Sequence, residues 1–305
     1  MLGNNIKVHF ANAEQLSNFE SALFAGVHYG LFTVFHFICE KFGITGFPCI
    51  GVKDHAEMMS ILKSQMADQR HTIMDSGLFT LMFGAKAGKR DKAFMERWTE
   101  ALCDFVLEND IYPTCVDIDC QKVLGVAEAW EFRERMRQRL PGRRIINVFH
   151  VEDGKKGLDR LIEYSDYIAI GAPELRIVYG MGKGYEEAMI RYAHYVKNKK
   201  PSIDIHLLGC TSKRLLHDLN FCTSADSTSW LSVNRFGQLK VDGKTHHISA
   251  IKGDVAADIA QRLEDACYAR GFSRLKLASM RYLSRYALAA QCCLRDYTEW
   301  AGSQR

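Results

Sequence analysis

The sequence predicts a (β/α)8 barrel, and three observations point there. Eight short runs rich in β-branched and aromatic residues recur between Ile6 and Ser227. Most are apolar almost without interruption, as strands buried on both faces should be. Segments of helical periodicity separate many of them. An open, doubly wound sheet is the alternative; it does not require eight strands.

The first run is IKVHF (Ile6 to Phe10), and VHYGLFTVF (Val27 to Phe35) is the second. HTIMDSG (His71 to Gly77) is the third and leads to AFMERWTEALCDFVLEND (Ala93 to Asp110), a plainly amphipathic helix. PTCVDID (Pro113 to Asp119) is the fourth, followed by the helix VAEAWEFRERMRQRL (Val126 to Leu140). RIINVFHVED (Arg144 to Asp153) and YIAIGAP (Tyr167 to Pro173) are the fifth and sixth. The helix GYEEAMIRYAHYVKNKK (Gly184 to Lys200) then precedes DIHLLGC (Asp204 to Cys210) and FCTSADS (Phe221 to Ser227). After Leu231 the pattern changes to a hairpin with Asp242-Gly243 at its turn, then a helical tail from about Asp254 to Trp300. The expected organisation is a barrel over 1–232 and a hairpin with a helical extension packed on it over 233–305.

Composition narrows the function classes. A chain of 305 residues, 47% hydrophobic and 25% charged, is ordinary for a globular protein. At this length roughly 75% of the unfolded surface can be buried, so disulfide staples are not needed. The longest apolar candidate, Ala22 to Cys39, is broken by His28, His36 and two glycines, so no membrane span is expected. The N-terminus lacks the basic and apolar stretches of a signal peptide, which makes the cytoplasm the expected location. The ten cysteines form no CxxC pair, and most sit inside apolar segments, the usage of a reduced compartment.

The net charge of +4 is small, but its distribution is uneven. RERMRQRLPGRR (Arg133 to Arg144) holds six arginines, and KNKK (Lys197 to Lys200) closes a helix. Near the C-terminus Arg274, Lys276, Arg281 and Arg285 interleave with Tyr282 and Tyr286. Each run alone reads as a solvated helix face; together they suggest a nucleic-acid surface.

In a barrel of this kind the active site lies at the C-terminal ends of the strands. The third run ends in Asp75, Ser76 and Gly77, and the fourth in Asp117 and Asp119. The fifth gives Phe149 and His150, the sixth Gly171, the seventh Gly209 and the eighth Asp226. Acids at three strand ends would split their pKa values and so divide the roles of base and nucleophile. One such acid alone would read as a helix cap. Gly171 and Gly209 would let a flat ligand approach the backbone. YGMGKGY (Tyr179 to Tyr185) reads as a glycine-rich loop able to hold a phosphate or to close as a lid.

In combination, MDSG, VDIDC, VFH, YIAIG, HLLG and DSTSW, in this order over roughly residues 70 to 230, resemble the tRNA-guanine transglycosylase superfamily. They are most similar to its phage-type branch, which acts on DNA. The resemblance implies that Asp226 attacks C1′ of a guanosine nucleotide and expels guanine. It implies that Asp75, beside Ser76, is the general base that deprotonates an incoming 7-deazaguanine. Asp119, or else Asp117, would bind the base edge, with Phe149, His150, Gly171 and Gly209 around it. Arg281, Arg285, Lys183 and Arg176 would grip the nucleic acid. The expected partners are DNA, or alternatively tRNA, and a 7-deazaguanine base such as preQ0 or preQ1. The superfamily often pairs, so a homodimer is also expected, and a phage-encoded chain would work in the host cytoplasm. The CxCxxC zinc motif of the tRNA enzymes is missing from the tail, which favours DNA. No cofactor is therefore expected, although an irregular zinc site that includes Cys267 stays open. A reading of another class is a catalytically dead barrel that only binds nucleic acid.

Overall fold

The computed structural model describes residues 6–12, 16–44, 52–67, 72–83, 91–241, 244–247, 257, 261, 265 and 283–302. Eight strands close into a barrel in chain order. They are β1 (Lys7–Asn12), β2 (Gly30–Thr33), β3 (Thr72–Asp75), β4 (Thr114–Val116), β5 (Ile145–Phe149), β6 (Tyr167–Gly171), β7 (Asp204–Leu208) and β8 (Ser224–Ser227). The sequence expectation of a (β/α)8 barrel is met, and the open sheet is excluded.

The α-helices with defined bounds begin with α1 (Leu16–Phe24), α2 (Phe35–Ile38), α3 (Val52–Ala67), α4 (Leu78–Phe83), α5 (Lys92–Glu108), α6 (Gln121–Leu124) and α7 (Val126–Arg139). Then follow α8 (Gly154–Tyr164), α9 (Ala172–Tyr179), α10 (Lys183–Lys199), α11 (Lys213–Asp218), α12 (Ser232–Phe236) and α13 (Leu283–Ala301). Two short antiparallel strands, β9 (Gln238–Val241) and β10 (Lys244–His247), make the expected hairpin. Its Asp242-Gly243 turn lies outside the described residues. No described helix is long and apolar enough to cross a membrane.

The chain parts into two compact units, Met1–Gly30 with Gly209–Arg305, and Leu31–Leu208. In the second unit β3 to β7 pair in parallel, neighbour to neighbour. Helix α5 shows how they are covered. Asp91 caps it by accepting the Phe94 N–H at 2.8 Å, and Met95, Trp98, Thr99, Leu102 and Val106 form its buried stripe. Trp98 packs on Phe35 and Phe42 and donates its indole N–H to the Ser76 carbonyl at 2.9 Å. A core helix thereby fixes the end of β3. The turn there demands glycine: Gly77 has φ +74°, and a Cβ on it would sit 2.7 Å from the Phe35 Cβ.

In the first unit β1 pairs with β8, placing His9 in register with Asp226. Trp230 is buried, packs on Phe10 and donates its indole N–H to the Ala11 carbonyl at 3.0 Å. Helix α13 packs against α1, α11 and β1, and Gln291 donates to the Ala25 carbonyl.

Two local readings change. The run Val27 to Phe35 is strand only over Gly30–Thr33, and Phe35 already begins α2. A short apolar run buried on both sides carries no period that separates strand from helix. The glycine-rich segment is a tight turn rather than a loop. Helix α9 reaches Tyr179 and α10 starts at Lys183, leaving Gly180, Met181 and Gly182 between them.

Candidate active site

The second unit holds most of the expected site, beginning with two acids after β4. Asp117 is fully buried and its carboxylate is saturated. It takes Arg133 Nε at 2.7 Å, Asn147 Nδ2 at 3.0 Å and the Val148 N–H at 3.2 Å. Arg133 completes the cluster by donating to the Val148 carbonyl at 2.7 Å. This ion pair is structural and ties α7 to β5, so Asp117 is not available to read a ligand.

Asp119 differs. It is half-buried, and its Oδ2 lies 3.6 Å from His150 Nε2. On the other side of the ring, His150 Nδ1 lies 3.2 Å from Glu174 Oε2, in the first turn of α9. Glu174 Oε1 meets Lys122 of α6 at 2.9 Å. The chain of charges therefore alternates Lys122, Glu174, His150, Asp119. The His150 side chain is only 10% exposed, yet neither ring nitrogen makes an aligned hydrogen bond among the described residues.

Burial works against the charge on His150, but Asp119 and Glu174 outweigh it and push the ring up to about 10. Burial also opposes charge on Glu174, where His150 and Lys122 prevail and hold the carboxyl below its usual value. On Asp119 burial wins, and its carboxyl is raised despite the pull of His150. The imidazole is thus a cation with two poorly aligned N–H donors beside a carboxylate.

Gly171 ends β6 with φ −86°, a value open to any residue. A Cβ there would meet nothing closer than the Leu208 Cδ2 at 4.0 Å. Neither backbone conformation nor packing within the protein requires glycine here, which leaves open space over the strand end. Phe149, by contrast, is a core residue, buried and tilted against Tyr192 with ring centroids 5.2 Å apart. Asp75 is half-buried, and its Oδ2 accepts the Gly77 N–H at 2.9 Å, closing the turn after β3. Ser76 beside it is buried.

The first unit holds Asp226, 6% exposed at the end of β8. Its Oδ1 accepts the Gly209 N–H at 2.6 Å. Gly209 has φ +63°, so this N–H is aimed by a backbone that only glycine adopts easily. Its role is to hold Asp226 rather than to open space for a ligand. The turn after β8 is closed by Ser227, whose Oγ accepts the Ser229 N–H at 3.0 Å. Tyr297 of α13 braces the same region, with its hydroxyl 2.7 Å from Ser229 Oγ and 3.2 Å from Thr211 Oγ1.

The structure reassigns two basic runs. Arg133 is buried on Asp117, Arg135 and Arg139 pair with Glu96, Glu100 and Asp104, and Arg144 pairs with Asp204. Arg137 donates to the Tyr164 carbonyl and lies over its ring, and Arg143 lies over Tyr112. Of KNKK, Lys197 donates to the Ile203 carbonyl, Lys199 lies near Asp159 and Lys200 pairs with Asp166. Acids from distant parts of the sequence thus pair with four of the six arginines and two of the three lysines, which leaves less free positive charge than the runs suggest. Arg176 lies over the Tyr185 ring at 4.8 Å and Lys183 is exposed. Arg281 lies outside the described residues, and Arg285 is placed only as a backbone position in α13.

Eight cysteines are described, all of them buried thiols. Burial pushes the thiols of Cys103, Cys115 and Cys120 up to about 12, which keeps them protonated and inert. Among the described residues no group of three or more His, Cys, Asp and Glu side chains could hold a metal, and Cys267 lies outside them. No protein-family model matches the chain, and no curated protein matches it closely enough to count as a relative.

Sequence reasoning missed Glu174, Lys122, His9 and Tyr297. Glu174 carried a faint signal, since an acid in a first helical turn is favourable there on dipole grounds alone. His9 is a fully buried polar residue within an apolar strand. Nothing local to the sequence marks Lys122 or Tyr297.

Proposed function

We propose that the protein is a guanine transglycosylase that exchanges guanine in DNA for a 7-deazaguanine. The observation that carries the reading is Asp226: a carboxylate 6% exposed at a barrel-strand end and held by the Gly209 N–H at 2.6 Å. The ordered motifs of the sequence, the Asp119–His150 pair and the open space at Gly171 support it.

In the first step a carboxylate oxygen of Asp226 attacks C1′ as the C1′–N9 bond breaks. Guanine leaves with the bonding electron pair and a glycosyl ester remains on the enzyme. In the second, Asp75 takes the N9 proton of the incoming 7-deazaguanine, whose N9 attacks C1′ and releases Asp226. Two displacements return the original configuration. Asp119 accepts N–H groups of the base, and cationic His150 donates to its carbonyl. The target base has to leave the helical stack to be reached.

DNA, rather than tRNA, rests on the missing zinc motif. Arg176, Lys183 and the basic C-terminal segment are the proposed phosphate contacts. The test is to incubate the protein with duplex DNA or tRNA and preQ0 or preQ1, digest to nucleosides and analyse by mass spectrometry. A modified deoxynucleoside supports the reading. Modification of tRNA alone moves the activity to the tRNA branch, and nucleic-acid binding without any exchange supports a dead barrel.

A further inference from the structure

Glu174 has no part in the reaction just described, yet its carboxylate lies nearer the His150 ring than that of Asp119 does, 3.2 Å against 3.6 Å. Its carboxylate is 10% exposed and held from both sides, by Lys122 at 2.9 Å and by His150 Nδ1 at 3.2 Å. It sits on α9, directly after the strand end that carries Gly171. Resting on the reading above, we propose that Glu174 is a positioning residue: anchored by Lys122, it fixes the His150 ring so that Nε2–H faces Asp119 and the edge of the bound base.

The geometry supports this in three ways. First, a histidine pulled by one carboxylate alone could rotate to satisfy it, whereas carboxylates on opposite sides fix the ring between them. Second, the 3.6 Å separation of Nε2 from Asp119, with no aligned hydrogen bond, leaves the Nε2–H and the Asp119 carboxylate with capacity for a ligand. Third, the charged groups around the ring leave it little choice of state. Asp119 faces it from the end of β4 and Glu174 from α9, with Asp117 and Lys122 behind them. With both nitrogens protonated, His150 can donate to a ligand but cannot accept from one. Glu174 thereby sets specificity: it favours a base with a carbonyl beside a ring N–H and disfavours one with an amino group in place of the carbonyl.

The experiment uses the full chain and the variants Glu174→Gln, Lys122→Met and His150→Gln, with free 7-deazaguanine and 7-deaza-2,6-diaminopurine as probes. The His150 ring protons are followed by NMR from pH 6 to 10, and probe affinity is measured calorimetrically at pH 6.5 and 8.5. Glu174→Gln is expected to lower the His150 titration by at least about one unit, since one of its two carboxylate partners is gone. It should weaken 7-deazaguanine binding more at pH 8.5 than at 6.5 and relax discrimination against the diamino probe. Lys122→Met should move each reading the same way by less, without touching the residues that face the base. In a His150→Gln background the Glu174 change should have no further effect on affinity. An unshifted His150 titration in Glu174→Gln overturns the proposal, as does an undiminished penalty of that change in His150→Gln. If wild type binds neither probe, the transglycosylase reading fails, while the His150 titration still decides whether Glu174 positions the ring.

Discussion

Asp117 and Asp119 leave the same strand, but their carboxylates meet opposite surroundings. Asp117 is enclosed by an arginine, an amide side chain and a backbone N–H, each within 3.2 Å. Asp119 faces a histidine at 3.6 Å without an aligned hydrogen bond. The first acid is satisfied by its own fold; the second is positioned and left to act on something else. The same contrast separates the arginines of α7, bound up with acids and aromatic rings, from the rim where Gly171 leaves room. Partnership separates the two acids, because both are aspartates that follow the same strand.

The largest effect should come from breaking the satisfied side. Asp117→Asn strands a buried guanidinium, and removing one partner of a buried ion pair costs about 3–5 kcal/mol. Urea denaturation should show that loss, and a loss below about 1 kcal/mol would erase the distinction between the two acids. Asp119→Asn should do the reverse. Stability should move by less than about 1 kcal/mol, while base affinity falls about ten- to a hundredfold, as expected for a hydrogen bond to a charged group.

The pH dependence sharpens the same point. The folded His150 titrates near 10, above its unfolded value of about 6.5. Its ionised form therefore stabilises the fold fully below pH 6.5, and that contribution is lost as pH rises towards 10. Denaturation midpoints taken from pH 6 to 10 should decline in wild type and decline less in His150→Gln. Gly171→Ala tests the open space: it should leave stability unchanged or raise it by up to about 1 kcal/mol, yet weaken base binding measurably. The smallest effect belongs to the outer face. Arg135→Ala and Arg139→Ala should each cost less than about 1 kcal/mol, since both pair with acids in solvent. Neither should change DNA affinity in a gel-shift titration.

The barrel was legible because buried parallel strands write themselves as unbroken apolar runs, and Asp226, Asp119 and His150 were legible as polar residues at the ends of those runs. What could not be read was the pairing. RERMRQRLPGRR looks like a phosphate-binding strip until Glu96, Glu100, Asp104, Asp117 and Asp204 are brought to it by the fold. Sequence proximity carries no trace of those contacts. Gly209 and Gly171 read alike as glycines at strand ends, although a positive φ explains the one and empty space the other. Glu174 was passed over, because an acid in a first helical turn is ordinary there, and only its distance to His150 draws attention to it.

The central claim is that Asp226 is the nucleophile, and trapping its ester tests this most directly. Wild type and Asp226→Ala are incubated with duplex DNA lacking any incoming base, denatured, and resolved for covalent protein–DNA adduct, then supplied with a 7-deazaguanine. The account predicts an adduct in wild type that is discharged into modified DNA by the added base, and neither adduct nor product in Asp226→Ala. Base exchange by Asp226→Ala at the wild-type rate would contradict it.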